Sequence, residues 1–147
     1  MSHSYSRNTI HLVFSTKDRA KTITPQLQPK LYAFIVGICK NENIYVLAIG
    51  GAQDHIHILL QLPPTVSLAK LTLLIKSNSS RWLRQSMRTF AWQHGYAAFS
   101  VSASLLPGVE RYIQNQETHH RKMSFENEFL AFLRKHRVAY DPKFVLG

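Results

Sequence analysis

Four side chains in this sequence have the types and spacing to do chemistry together. His55 and His57 flank Ile56 in the run Asp54-His55-Ile56-His57-Ile58-Leu59-Leu60. Side chains alternate along a β-strand, so the two imidazoles point the same way. Tyr112 and Gln116 lie one helical turn apart in Tyr112-Ile113-Gln114-Asn115-Gln116 and share one face of a helix. Neutral imidazole is a common ligand for divalent metals, and an amide oxygen makes the mixed set suited to Mg²⁺ or Mn²⁺, which polarise phosphate oxygens. Tyr112 is a weak nucleophile at neutral pH, because a phenol pKa of about 10 leaves little phenolate. A metal beside it, orienting a phosphate and stabilising the departing charge, would make it competent. Taken singly, each feature has an ordinary explanation. A His-x-His pair more often faces water from the exposed side of a strand than holds a metal, and a helical tyrosine more often packs with its hydroxyl at the rim.

The balance of charge fits an anionic partner. Lys and Arg number 18 against 8 Asp and Glu, a net charge of +10 with histidines neutral, and nucleic acid is the commonest partner of so basic a chain. Cations and rings are mixed in Arg81, Trp82, Arg84, Arg88, Trp92, His94 and Tyr96, as in binders of single strands. Together with Lys76 and Arg111, Arg81, Arg84 and Arg88 are the candidate DNA contacts. They form a broad basic surface rather than a tight stripe, and each tryptophan taken alone reads as core. His119 and His120 read as a solvated helix end rather than as phosphate ligands.

The elements that must position these residues follow from patterning. The 147 residues fit one domain, 1–147, with a core that needs no disulfide. Cys39, the one cysteine, sits after Phe34-Ile35-Val36-Gly37-Ile38 and reads as a buried, inert thiol. The start lacks the apolar stretch of a signal peptide, and no segment approaches the ~20 apolar residues of a membrane span. A cytoplasmic, non-membrane location is the expectation.

Thr9–Ser15 reads as a first strand, and Thr24-Pro25 opens a helix to about Asn41. Ile44–Ile49 and His55–Gln61 read as strands joined by a loop over 50–54. Ser67 caps a helix to about Arg88, Ala97–Ser102 is a fourth strand, and helices follow over Glu110–Lys122 and Phe125–Lys135, with Ser124 as the N-cap of the last. The order is βαββαβ, an α+β ferredoxin-like antiparallel sheet with helices on one face, plus C-terminal helices of which one carries the tyrosine. In that topology the first and third strands are central neighbours. If Ile56 and Ile58 face the core, His55 and His57 face the opposite, open side.

With these motifs in place, the chain resembles the single-tyrosine HUH transposases. These are small enzymes of bacterial insertion sequences, with relatives associated with repetitive extragenic palindromes. The resemblance begins at His11-Leu12-Val13-Phe14-Ser15-Thr16-Lys17 and runs through Gly51-Ala52-Gln53-Asp54-His55-Ile56-His57-Ile58. It ends at Tyr112-Ile113-Gln114-Asn115-Gln116, followed by His119-His120 and Phe125. It implies that His55, His57 and Gln116 hold a divalent metal, Mg²⁺ or Mn²⁺, and that Tyr112 attacks single-stranded DNA near a hairpin. The product would be a 5′-phosphotyrosine and a free 3′-OH, with strand transfer to follow. It also implies a homodimer, in which the tyrosine helix of one subunit can serve the histidines of the other. Leu105-Leu106-Pro107-Gly108 is then either a hinge for that exchange or an ordinary helix-starting loop.

Two other readings stand beside this one. A non-cutting module that grips hairpin nucleic acid would need none of the four residues. A ferredoxin-like sensing domain with structural metal would leave Tyr112 and the charge unexplained.

Overall fold

Strand alternation sorts the residues of this chain onto two unlike faces of one sheet. The computed structural model describes residues 5–116, 123–143 and 145. Four strands, β1 (Thr9–Ser15), β2 (Val46–Gly51), β3 (His55–Gln61) and β4 (Ala97–Ser100), pair antiparallel in the order β2-β3-β1-β4. β1 and β3 are the central neighbours, as the βαββαβ order requires. Their register sets Val13 opposite His57 and Ser15 opposite His55.

On one face the two central strands are apolar. Ile10, Leu12 and Phe14 of β1 and Ile56, Ile58 and Leu60 of β3 pack on helices α1 (Gln28–Asn41) and α2 (Leu68–Leu83) through Leu31, Ile35, Cys39, Leu71, Ile75 and Leu83. Each such isoleucine or leucine contributes about 1.5–3 kcal/mol by leaving water. Trp92 belongs to this core. Trp82 is half-buried and stacks on Phe34 with ring centroids 4.8 Å apart. Cys39 is buried here, and burial pushes its thiol pKa up to about 11, which fits an inert side chain.

The opposite face carries His11, Val13, His55, His57 and Leu59, and it is not open. Helix α3 (Leu106–Gln114) lies on β2 and β3 through Leu106 and Ile113 against Ala48 and Leu59. Helix α4 (Phe125–Lys135) lies on β1 and β4 through Phe125 and Leu133 against Val13, Ala97 and Phe99. The expectation of an exposed histidine face is thus corrected: an apolar rim around the histidines needs a cover, and the two C-terminal helices supply it.

Several boundaries shift for local reasons. Thr24 caps a turn rather than the helix, its hydroxyl accepting from the Leu27 amide at 3.3 Å, and α1 begins at Gln28 with Pro29 in its first turn. Ser67 caps α2 as expected, accepting from the Lys70 amide at 3.1 Å, but α2 stops at Leu83. Likewise β4 ends at Ser100, and Ser124 caps α4 by accepting from the Asn127 amide at 3.3 Å.

The tyrosine helix starts earlier than its apolar pattern implies and breaks at Asn115. Leu106-Pro107-Gly108 therefore lies inside its first turns instead of forming a separate hinge. Residues 117–122, with His119 and His120, lie outside the described residues. Gly50, expected in a loop, ends up within β2, where a Cβ would stand 2.2 Å from the Ile113 carbonyl oxygen. Only glycine lets α3 lie this close to the strand.

Candidate metal centre and tyrosine

The covered face gathers a polar cluster inside an apolar rim. His55 and His57 are 0% exposed, Gln116 1% and Glu128 2%. Buried polar groups at such positions need partners, and each has them. Asp54 Oδ1 lies 2.7 Å from His55 Nδ1, and His11 Nε2 lies 2.7 Å from His57 Nδ1. The Nδ1 side of each imidazole is thus engaged away from the centre, leaving both Nε2 atoms to converge.

His55 Nε2 faces Gln116 Oε1 at 3.1 Å, and His57 Nε2 faces Glu128 Oε1 at 2.9 Å, with that oxygen also 3.9 Å from His55 Nε2. The two Nε2 atoms and the Glu128 oxygen lie within 4.8 Å of one another, a grouping that could hold a metal ion. The donor set fits one on chemical grounds. With its Nδ1–H donating to Asp54, His55 presents the Nε2 lone pair beside Gln116 Oε1, and an imidazole nitrogen and an amide oxygen are both donors that a divalent cation accepts. Gln116 is held for this role, its Nε2 donating to the Tyr112 carbonyl at 3.1 Å.

Tyr112 stands at the edge of the cluster. Its ring centroid is 5.7 Å from that of His57, and its hydroxyl donates to Glu128 Oε2. Burial pushes the phenol pKa up, and the hydrogen bond and charge of Glu128 push it further, against a smaller lowering by Gln116. His11 is held down to about 3, first by burial and then by neighbouring His57, so it is neutral at ordinary pH. Phe125 stacks on His55 at 4.5 Å, and Phe132 closes on His11 at 5.2 Å. These rings form the water-excluding wall.

The structure therefore brings together all four residues singled out by spacing and adds three. Asp54 neighbours the pair in sequence, but periodicity alone gave it no role. His11 shares the parity of Val13 and Ser15 on β1, so its facing direction was readable once β1 and β3 were paired. Glu128 left one signal: it falls on the same helical face as Phe125, Phe129 and Phe132, a carboxylate within an apolar stripe.

The basic residues are placed elsewhere. Lys76, Arg81, Arg84 and Arg88 lie on or just after α2, across the sheet from the histidines. Lys76 Nζ donates to the Gln93 and Gly95 carbonyls at 2.7 and 2.8 Å, and burial lowers its pKa. Arg84 Nε donates to the Phe90 carbonyl at 3.0 Å. Arg81, Arg88 and Arg111 are exposed, and Arg111 is on the tyrosine helix itself.

Among the described residues, this antiparallel α+β sheet holds one possible metal centre, buried under helices that supply a tyrosine and a carboxylate. The family described as IS200-like transposase matches residues 4–116, and the chain belongs to it. The transposase for insertion sequence element IS200 of Salmonella typhimurium is 25% identical over 125 residues, covering 79% of this chain and 81% of the relative. That of Salmonella typhi matches to the same extent.

Among solved structures, a Deinococcus radiodurans R1 protein described as a transposase aligns with a TM-score of 0.65 at 19% identity, over 79% of this chain and 95% of that one. A REP-associated tyrosine transposase, solved bound to a REP hairpin, aligns with a TM-score of 0.62 at 16% identity, over 82% of this chain and 73% of that one. Both are likenesses of fold.

Proposed function

We propose that this chain, acting as one domain, cuts and rejoins single-stranded DNA at hairpin-marked ends through a 5′-phosphotyrosine intermediate. The observation that carries the reading is the Tyr112 hydroxyl set against the His57–Glu128 pair in a water-excluding pocket. His55 and His57, with Gln116, would hold Mg²⁺ or Mn²⁺. When bound, such an ion polarises the scissile phosphate and neutralises developing charge.

The chain's own residues do the rest. Tyr112 Oη bonds to phosphorus while the bond to the 3′-oxygen breaks, and that oxygen leaves as a hydroxyl, taking over the phenolic proton by way of Glu128. The phenolic proton passes to the Glu128 carboxylate, which already accepts it. Asp54 and His11 hold the imidazoles in orientation. Arg111, on the tyrosine helix, and Arg81, Arg84 and Arg88 on the far face supply cationic charge for the DNA backbone. Lys76 also anchors the 93–95 segment through the Gln93 and Gly95 carbonyls, and its charge adds to the same basic surface.

Tyr112 lies beside the histidines of its own chain, which supports assembly of the site within one subunit; exchange of tyrosine helices between the two subunits would rebuild the same contacts in trans. A homodimer belongs to the proposal for another reason: strand transfer joins a 3′-OH to a second phosphotyrosine. A cytoplasmic location belongs to the proposal through its DNA substrate; no helix among the described residues is long and apolar enough to cross a membrane.

The test uses single-stranded, hairpin-bearing oligonucleotides from DNA flanking the gene, with Mn²⁺, Mg²⁺ or EDTA. The expected result is a metal-dependent covalent protein–DNA adduct that Tyr112→Phe reduces by more than about a thousandfold while hairpin binding persists. Tight binding with no adduct from the unaltered protein would instead make it a non-cutting hairpin module.

A further inference from the structure

We infer that Glu128 is itself a metal ligand and the clasp by which helix α4 and the tyrosine are loaded onto the ion. This rests on the metal-dependent reading above and extends it to a residue, and an element, outside the motifs that suggested that reading.

The carboxylate is 2% exposed, and a buried carboxylate is strongly disfavoured unless it is paired or coordinates a cation. Its two oxygens have different neighbours. Oε1 lies 2.9 Å from His57 Nε2 and 3.9 Å from His55 Nε2, and Oε2 accepts from the Tyr112 hydroxyl.

One proton on His57 Nε2 would satisfy a single imidazole–carboxylate pair. His55 Nε2 lies against the same carboxylate oxygen at 3.9 Å and against Gln116 Oε1 at 3.1 Å, so three potential ligand atoms converge on one point. A divalent cation satisfies His55 Nε2, His57 Nε2 and Glu128 Oε1 together, since these atoms lie within 4.8 Å of one another. Two neutral imidazoles and one anionic oxygen, with the Gln116 amide oxygen alongside, make a set that holds a hard or borderline divalent ion more tightly than neutral donors alone.

The position of Glu128 in the chain gives the ligand its second role. It projects from the first half of α4, between Phe125, which stacks on His55, and Phe132, whose ring stands 5.6 Å from that of Tyr112. Arg19 ties the start of the same helix to the loop after β1 through Glu126 at 2.5 Å. A ligand on α4 makes docking of that helix and metal occupancy one equilibrium, because whatever binds only the docked state stabilises it. The second oxygen then sets the nucleophile at a fixed distance from the ion. Glu128 is thus a metal ligand through one oxygen and a positioning residue for Tyr112 through the other.

The experiment is Mn²⁺ titration calorimetry on the full chain, paired with hydrogen exchange of α4 with and without Mn²⁺. Glu128→Gln keeps the shape and one acceptor oxygen while removing the charge and turning the other oxygen into a donor, and Glu128→Ala is the second variant, with folding of both checked by circular dichroism. The expected results are Mn²⁺ affinity lowered about ten- to a hundredfold in both, and metal-induced protection of α4 in the unaltered protein that is lost in the variants. Tyr112→Phe should keep affinity within about twofold of the unaltered chain.

Glu128→Gln that binds Mn²⁺ as tightly as the unaltered protein, while His57→Ala loses it, would overturn the role of Glu128 and leave the histidine site standing. An unaltered protein that binds no Mn²⁺ would instead remove the metal reading itself, and this inference with it.

Discussion

The two faces of the sheet are built from the same strands and could hardly differ more. On the α1/α2 side, residues of β1 and β3 are aliphatic or aromatic and pack on an apolar layer, with the Lys76 ammonium over the Phe14 ring at its margin. On the α3/α4 side, the alternate residues of those same strands, His11, His55 and His57, meet Asp54, Gln116, Glu128 and Tyr112. Burial is equally deep on both. What separates them is the source of order: close packing on one side, a chain of hydrogen bonds on the other. Central strands with one face devoted to the core give the other face a rigid platform, on which side chains can be held to the tolerances that chemistry requires.

The sharpest test of this contrast uses neighbouring residues of β3. His57→Ala should abolish metal-dependent cleavage, by more than about a hundredfold, while circular dichroism shows the fold retained. Ile58→Ala, one residue on, should cost about 2–5 kcal/mol in urea unfolding yet keep Mn²⁺ affinity wherever the variant is folded. A His57→Ala protein that unfolds would show that the polar face carries the fold as well.

A smaller effect is expected where the two helix layers depend on backbone proximity. Gly50→Ala places a methyl against the Ile113 carbonyl, which should cost about 1–3 kcal/mol and push the tyrosine helix outward. The cleavage rate should fall more than stability alone accounts for, and wild-type kinetics in this variant would show that α3 tolerates the shift.

The smallest effect is set by pH. His11 is held down to about 3 from an ordinary 6.5. Between those values the unfolded chain binds the extra proton, so this residue's contribution to stability is complete above about 6.5 and is lost as pH falls toward about 3. In metal-free protein the urea midpoint should drop on acidification through that window, and His11→Gln should flatten the drop. An identical pH profile in the variant would place the sensitivity elsewhere.

Much of this architecture was legible in the sequence because it rests on local signals. Strands β1 and β3 and helix α4 fall where alternation, β-rich composition and the Ser124 cap set them, and the parity of Ile56 and Ile58 put the histidines on the far face. The misplacements have identifiable causes. Gly50 looked like turn chemistry because a glycine's need for space is visible only once α3 is in place. The apolar spacing after Glu110 could not show that Leu106-Pro107-Gly108 already forms helix, since proline and glycine are tolerated in a first turn. Of the site, the motif-borne residues were readable. Glu128 and His11 were not, because their role depends on pairings between β1, β3 and α4 that no local window contains.

The register between β1 and β3 has a consequence for how such a gene can change. Because Val13 sits opposite His57 and Phe14 opposite Ile56, loss or gain of one codon within β3 turns every following side chain to the other side. Histidines would enter the oily layer and isoleucines the polar one, so a single length mutation disrupts both layers together. Point substitutions can alter one layer without the other. The strand can thus drift in composition over time, but its length is locked.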